Sequence, residues 1–174
     1  MNIAGINYES VNDGEGVRAV IYVSGCHWKC LKCHNSDAQN ADYGIPFTDE
    51  LFDEIVENIK KRPFVTGITF SGGDPLNDNN VMDVLYIIIK LKNIFPDKNI
   101  WLYTGYTWEQ ILFPRYKESI NPYRWKVAHL CDVIVDGKYI DRLRDVTLRF
   151  AGSKNQRVID VQKSLKENKV ILYN

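Results

Sequence analysis

Short β-rich runs, each followed at once by glycine, recur along the chain. Val17 to Val23 (VRAVIYV) leads into Ser24-Gly25, and Gly67 to Phe70 (GITF) into Ser71-Gly72-Gly73. Ile100 to Tyr103 (IWLY) precedes Thr104-Gly105, and Val133 to Val135 (VIV) precedes Asp136-Gly137. Runs this short, rich in β-branched and aromatic residues and bounded by turn formers, read as strands. Between them the apolar spacing turns helical. Phe52, Ile55, Val56 and Ile59 fall on one helix face behind a cap at Thr48 or Asp49. Val81, Val84, Leu85 and Ile88 repeat the pattern after the polar stretch Asn77 to Asn80, and Pro96 closes that segment. Thr107 with Gln110 has the form of a capping box opening a shorter helix through Ile111 and Leu112.

Strands alternating with helices imply βαβ units around a parallel sheet, hence an α/β fold. The pattern alone does not separate an open sheet from a partial barrel. In either case ligands gather outside the carboxyl ends of the strands. A cysteine cluster follows the first of these runs and Gly72-Gly73-Asp74 follows the second. Both are therefore expected on one face.

With 174 residues and no repeat, low-complexity tract or Gly/Ser linker, the chain reads as a single domain over 1–174. Lys plus Arg (22) equals Asp plus Glu (22), which argues against a general nucleic-acid binder, since that function needs a basic excess. Met1 to Gly5 lacks the basic start and apolar core of a signal peptide. The longest apolar run, Val84 to Ile89, is too short to span a membrane. A cytoplasmic protein with no membrane partner is the expectation.

That compartment gives the cysteines their meaning. Three of the four lie within eight residues, Cys26, Cys30 and Cys33, and Cys131 is far away. In a reducing cytosol such a cluster holds metal more readily than it forms disulfides. The spacing C-x₃-C-x₂-C lets three thiolates converge from one loop, and thiolates suit zinc or iron–sulfur. A structural zinc needs four protein ligands, and His27, His34 or Cys131 could supply the fourth. An iron–sulfur cluster with only three cysteines leaves one iron open to a small ligand. Ligand chemistry alone keeps both readings.

The C-x₃-C-x₂-C spacing is the hallmark of the radical S-adenosylmethionine superfamily, and the sequence looks like a member. Gly72-Gly73-Asp74-Pro75, which by itself reads as a tight turn leaving a strand, resembles that superfamily's G-G-E/D-P element. Its backbone and acidic side chain receive the amino group of the cofactor. The resemblance implies a [4Fe–4S] cluster on Cys26, Cys30 and Cys33 and S-adenosylmethionine as cofactor, chelated at the open iron. One electron from the cluster would break the sulfonium C–S bond to give methionine and a 5′-deoxyadenosyl radical. Cofactor contacts are implied for Lys32, Cys33, His34, Gly72, Gly73 and Asp74.

Asn12-Asp13-Gly14-Glu15-Gly16-Val17-Arg18 resembles the D-G-x-G-x-R entry of glycyl-radical-enzyme activases. Thr104 to Glu109 and Gly152 to Asp160, with its N-Q-R-x-I-D element, are similar to one branch. That branch is the activating proteins of anaerobic (class III) ribonucleoside-triphosphate reductase. The resemblance implies an oxidoreductase that makes a glycyl radical on the reductase large subunit, and an abridged TIM-type barrel of parallel strands with outer helices. It also implies a low-potential electron donor such as flavodoxin, and a homo-oligomer or a mixed complex with the reductase. The chain departs from the branch in having Leu31-Lys32 where Pro-Gly is usual, and Trp28 where histidine is common. The rival readings are an activase of another glycyl-radical enzyme (the pyruvate formate-lyase type), and a zinc-binding module without catalysis.

Other residues have plainer readings. His34 either shapes the loop or lies near the adenine, and Trp28 is expected to pack the loop. Cys131 is expected to be a buried thiol. Asp136 either serves the cofactor or makes a turn with Gly137. Lys154 to Arg157 reads as a solvated basic loop.

Overall fold

A computed structural model describes residues 1–112 and 121–174. All four strands and three helices expected from the pattern form. The strands are β2 (Arg18–Val23), β4 (Gly67–Gly72), β5 (Asn99–Tyr103) and β6 (Val133–Asp136). The helices are α1 (Asp49–Lys60), α2 (Val81–Ile94) and α3 (Trp108–Leu112). Thr48 caps α1, its hydroxyl accepting from Leu51 N at 3.2 Å. Thr107 N donates to Gln110 Oε1 at 2.8 Å while Gln110 N reaches back to Thr107 Oγ1 at 3.4 Å, which is the reciprocal box that opens α3.

Pairing of β2, β4, β5 and β6 is parallel throughout. Three further strands correct the expectation of an all-parallel sheet: β1 (Asn2–Ser10), β3 (Ile45–Pro46) and β7 (Arg157–Asp160). Each pairs antiparallel, giving a seven-stranded sheet in the order β3-β1-β2-β4-β5-β6-β7 that does not close on itself. Two register shifts against β2 break the alternation of β1, so it carries no strand period in sequence. The four residues of β7 carry charge at both ends and likewise show no strand pattern. Two more helices, α4 (Pro122–Leu130) and α5 (Val161–Glu167), follow the caps Asn121 and Asp160.

Side chains alternate across a strand, so the two faces of the sheet differ. Ala19, Ile21 and Val23 of β2 join Ile68, Phe70, Ile100, Leu102 and Ile134 in the main core, where all five helices pack. The opposite face carries a smaller cluster of Trp101, Val133 and Val135. That face also buries Arg18 and Thr69.

In-register parallel pairing brings the carboxyl ends of neighbouring strands together: Val23 lies opposite Gly72, and Tyr103 opposite Val135. The segments that leave these ends build the site.

Candidate cluster and cofactor site

The loop after β2 carries Cys26, Cys30 and Cys33, all free thiols. Its start is held by main-chain bonds, Gly25 N to Ala38 O at 2.8 Å and Cys26 N to Gln39 O at 3.1 Å. The next loop is laced to it: Gly73 N donates to Val23 O (2.7 Å) and Asp74 N to Gly25 O (2.9 Å). Asn80 completes the join. Its buried amide donates to Ser24 O at 2.8 Å and to Asp74 O at 2.9 Å. Its position just before α2 reads as an ordinary helix cap, so nothing local in the sequence signals the role.

Gly73 sits where the two loops touch. A Cβ there would meet Gly25 O at 2.6 Å and Ala38 O at 2.7 Å, main chain that cannot step aside. The glycine therefore permits the close approach that joins the loops.

A cavity of about 520 Å³ opens over the strand ends and is lined by all three cysteines. Lys32, His34, Gly72 and Gly73 also face it, as do Thr104 and Gly105 after β5. Cys131 does not: it is fully buried in the helical core, with its thiol on Val127 O at 3.3 Å.

Lys32 takes a left-handed backbone, φ +55°, at the position where the resembled branch usually has glycine. A lysine there costs roughly 1 kcal/mol of backbone strain. Its ammonium reaches Asp141 at 3.0 Å across the cavity mouth, beside Tyr139, whose hydroxyl donates to the same carboxylate group.

The segment after β6 closes the far side of the cavity through Gly137, Lys138 and Tyr139. Gln156 Nε2 donates to Gly137 O at 2.9 Å and Asn155 Nδ2 to Lys138 O at 2.8 Å. Arg157 pairs in two-pronged fashion with Glu109 (3.0 and 2.9 Å) and also holds Asp136. Asp136 is buried, its other partner being Trp108 N at 2.8 Å. The stretch read as a solvated basic loop is thus a brace for the cavity wall.

Burial pushes the Cys26 thiol up to about 11, with added repulsion from Asp74 and the neighbouring cysteines. Burial also raises Cys30, with repulsion from Cys33 next. Three half-buried thiols on one cavity form a donor set suited to a cation-bearing group, and binding such a group would displace the protons held on Cys26 and Cys30. Among the described residues, no three His, Cys, Asp or Glu side chains converge as a single metal ion requires. In a cluster each thiolate takes a different iron, so a spread donor set fits.

Three thiols lining one cavity at the strand ends are a donor set that fits an iron–sulfur cluster. The family model described as "4Fe-4S single cluster domain" matches residues 12–159. The chain is 36% identical over 147 residues to the anaerobic ribonucleoside-triphosphate reductase-activating protein of Salmonella typhi, covering 84% of this chain and 90% of that one. The protein of the same name from Escherichia coli K12 is 35% identical over the same span. That of Enterobacteria phage T4 is 36% identical over 146 residues, 84% of this chain and 85% of its own. The chain belongs to the family of anaerobic ribonucleoside-triphosphate reductase-activating proteins.

Proposed function

We propose that this chain is the activating enzyme of an anaerobic ribonucleoside-triphosphate reductase. The observation that carries the reading is the set of three cysteines on one cavity wall, facing a glycine-lined loop at the same strand ends. When bound, a reduced [4Fe–4S] cluster supplies the electron that cleaves S-adenosylmethionine, and hydrogen is then taken from a glycine of the reductase to form its glycyl radical.

The chain's own residues supply the rest. Cys26, Cys30 and Cys33 hold the cluster and leave one iron for the cofactor. The Gly72-Gly73-Asp74 turn receives the cofactor's amino-acid end, with Lys32, Cys33 and His34 along the adjoining wall. The sheet is the wall of an abridged barrel, residues 1–174 act as one activase domain, and the open mouth admits the reductase. A low-potential donor such as flavodoxin, a cytoplasmic setting, and a homo-oligomer or mixed complex with the reductase complete the reading. Among the described residues, no helix is long and apolar enough to cross a membrane.

The test is direct. The protein is reconstituted anaerobically with iron and sulfide, reduced, and examined by EPR with and without S-adenosylmethionine. A cluster signal that changes with the cofactor is expected, followed by a glycyl signal on added reductase. A signal indifferent to the cofactor would defeat the proposal, and a glycyl signal arising only on another enzyme would reassign the partner.

The mouth also suggests where the reductase sits. Val146 and Leu31 are the most exposed large apolar side chains among the described residues, 80% and 73%. Val146 lines the cavity and Leu31 neighbours Lys32, which does. Exposed apolar groups beside a site mark a contact surface. Changing both to serine is expected to weaken reductase binding about tenfold while iron content stays unchanged. Pull-down or calorimetric titration against the reductase checks it.

A further inference from the structure

Asp74 is the residue that the resemblance places against the cofactor's ammonium, yet its side chain is committed elsewhere. It is 1% exposed. Oδ1 accepts from Leu76 N at 2.9 Å and Thr104 Oγ1 at 2.8 Å. Oδ2 accepts from Trp28 Nε1 at 2.6 Å and Gly105 N at 3.0 Å. A carboxylate offers about four acceptor sites, so these donors fill it. An incoming ammonium would have to displace one, leaving a buried donor without a partner. Gly72, Gly73, Thr104, Gly105 and Trp28 all line the cavity, whereas Asp74 lies behind them.

Trp28 is built into the same node. It stands between two cluster ligands, Cys26 and Cys30. Its indole lies so close on Gly105 that a Cβ there would meet the ring at 2.3 Å. Tyr106 packs edge-on against it, with centroids 5.0 Å apart. One carboxylate thus ties together the cysteine loop, the Gly-Gly loop and the loop after β5.

We propose that Trp28 and Asp74 form the positioning link between the cluster loop and the cofactor loop. Asp74 acts by holding the Gly72-Gly73 turn and the Trp28 indole in place, not by touching the cofactor itself. This inference rests on the functional reading above and assigns Trp28 and Asp74 a positioning role in it.

The experiment uses the full chain, reconstituted and reduced. S-Adenosylmethionine is titrated while the EPR change of the cluster is followed, with iron content measured alongside. Trp28→Phe keeps the ring and removes the donor. It is expected to raise the half-saturating concentration about tenfold, the worth of one bond to a charged acceptor, with iron content unchanged. In an Asp74→Asn background the same change is expected to add nothing, since the link is already broken. If Asp74 meets the ammonium directly, freeing Oδ2 in Trp28→Phe leaves binding unchanged or tighter, and that result overturns the proposal. Should Trp28→Phe load poorly, Thr104→Val removes a second donor from outside the cysteine loop. It is expected to weaken binding likewise, and unchanged binding would overturn the proposal equally. A wild-type signal indifferent to the cofactor would be a different failure: it removes the function itself, and this inference with it.

Discussion

Cys30→Ala is expected to leave the protein without a stable cluster, and therefore without cofactor cleavage, whereas Cys131→Ala keeps both. Three thiols from one loop line the cavity, and a cluster that already spares one iron has no protein ligand to lose. Two thiolates would hold iron weakly and expose it to solvent. Cys131 sits on the other side of the molecule's chemistry. Burial holds its thiol up in the protonated form, and that thiol donates to the Val127 carbonyl at 3.3 Å. Removing it deletes a small core side chain, at a cost of about 1 kcal/mol. Iron and sulfide content together with the reduced EPR signal separate the two variants. Loss of the cluster on changing Cys131 would overturn the ligand assignment.

Arg18→Met is expected to be the most damaging single change outside the site, destabilising the fold by about 3 kcal/mol or more. Arg18 is fully buried on the face of the sheet away from the helices. Its guanidinium donates to Thr69 Oγ1 (2.6 Å), Glu15 O (3.0 Å), Asn99 Oδ1 (2.8 Å), Ile68 O (2.9 Å) and Asn99 O (3.2 Å). It also lies over the Trp101 ring at 5.1 Å. Burial lowers its pKa to about 10, still well above neutral pH, so the group remains a cation. Methionine fills the space but leaves five oxygens short of a donor. Lysine is expected to recover only part of the loss, because one ammonium cannot reproduce a planar fork. Anaerobic urea unfolding of the three proteins measures the difference. A methionine variant as stable as wild type would show that the network adds nothing.

The D-G-x-G-x-R stretch thereby gains a physical account. Asp13 and Glu15 lie in the loop before β2, and Arg18 stitches that loop to β4 and β5 at the end of the strands opposite the cluster loop. Thr69 Oγ1 passes the network on to Asp13 O at 2.8 Å. The arginine of this motif thus serves the joining of the strands in this chain.

Much of the molecule was legible before any coordinate. Three cysteines within eight residues belong to one short segment whatever the fold. Strand and helix periods are likewise local, and the four central strands and first three helices obey them. From these alone followed the α/β class and the shared face of the cysteine and Gly-Gly loops, since parallel strands emerge on the same side. Tertiary structure decided what depends on residues distant in sequence. The antiparallel edge strands needed partners to exist, and β1 with its bulges has no clean period of its own. Asn80 serves Ser24 and Asp74, and Arg157 serves Asp136 and Glu109. Asp74 gathers donors from positions 28, 76, 104 and 105. No local pattern encodes such convergence, because a polar side chain's partners are set by where the whole sheet places it. That Asp74 is a buried node joining three loops is visible only in the fold.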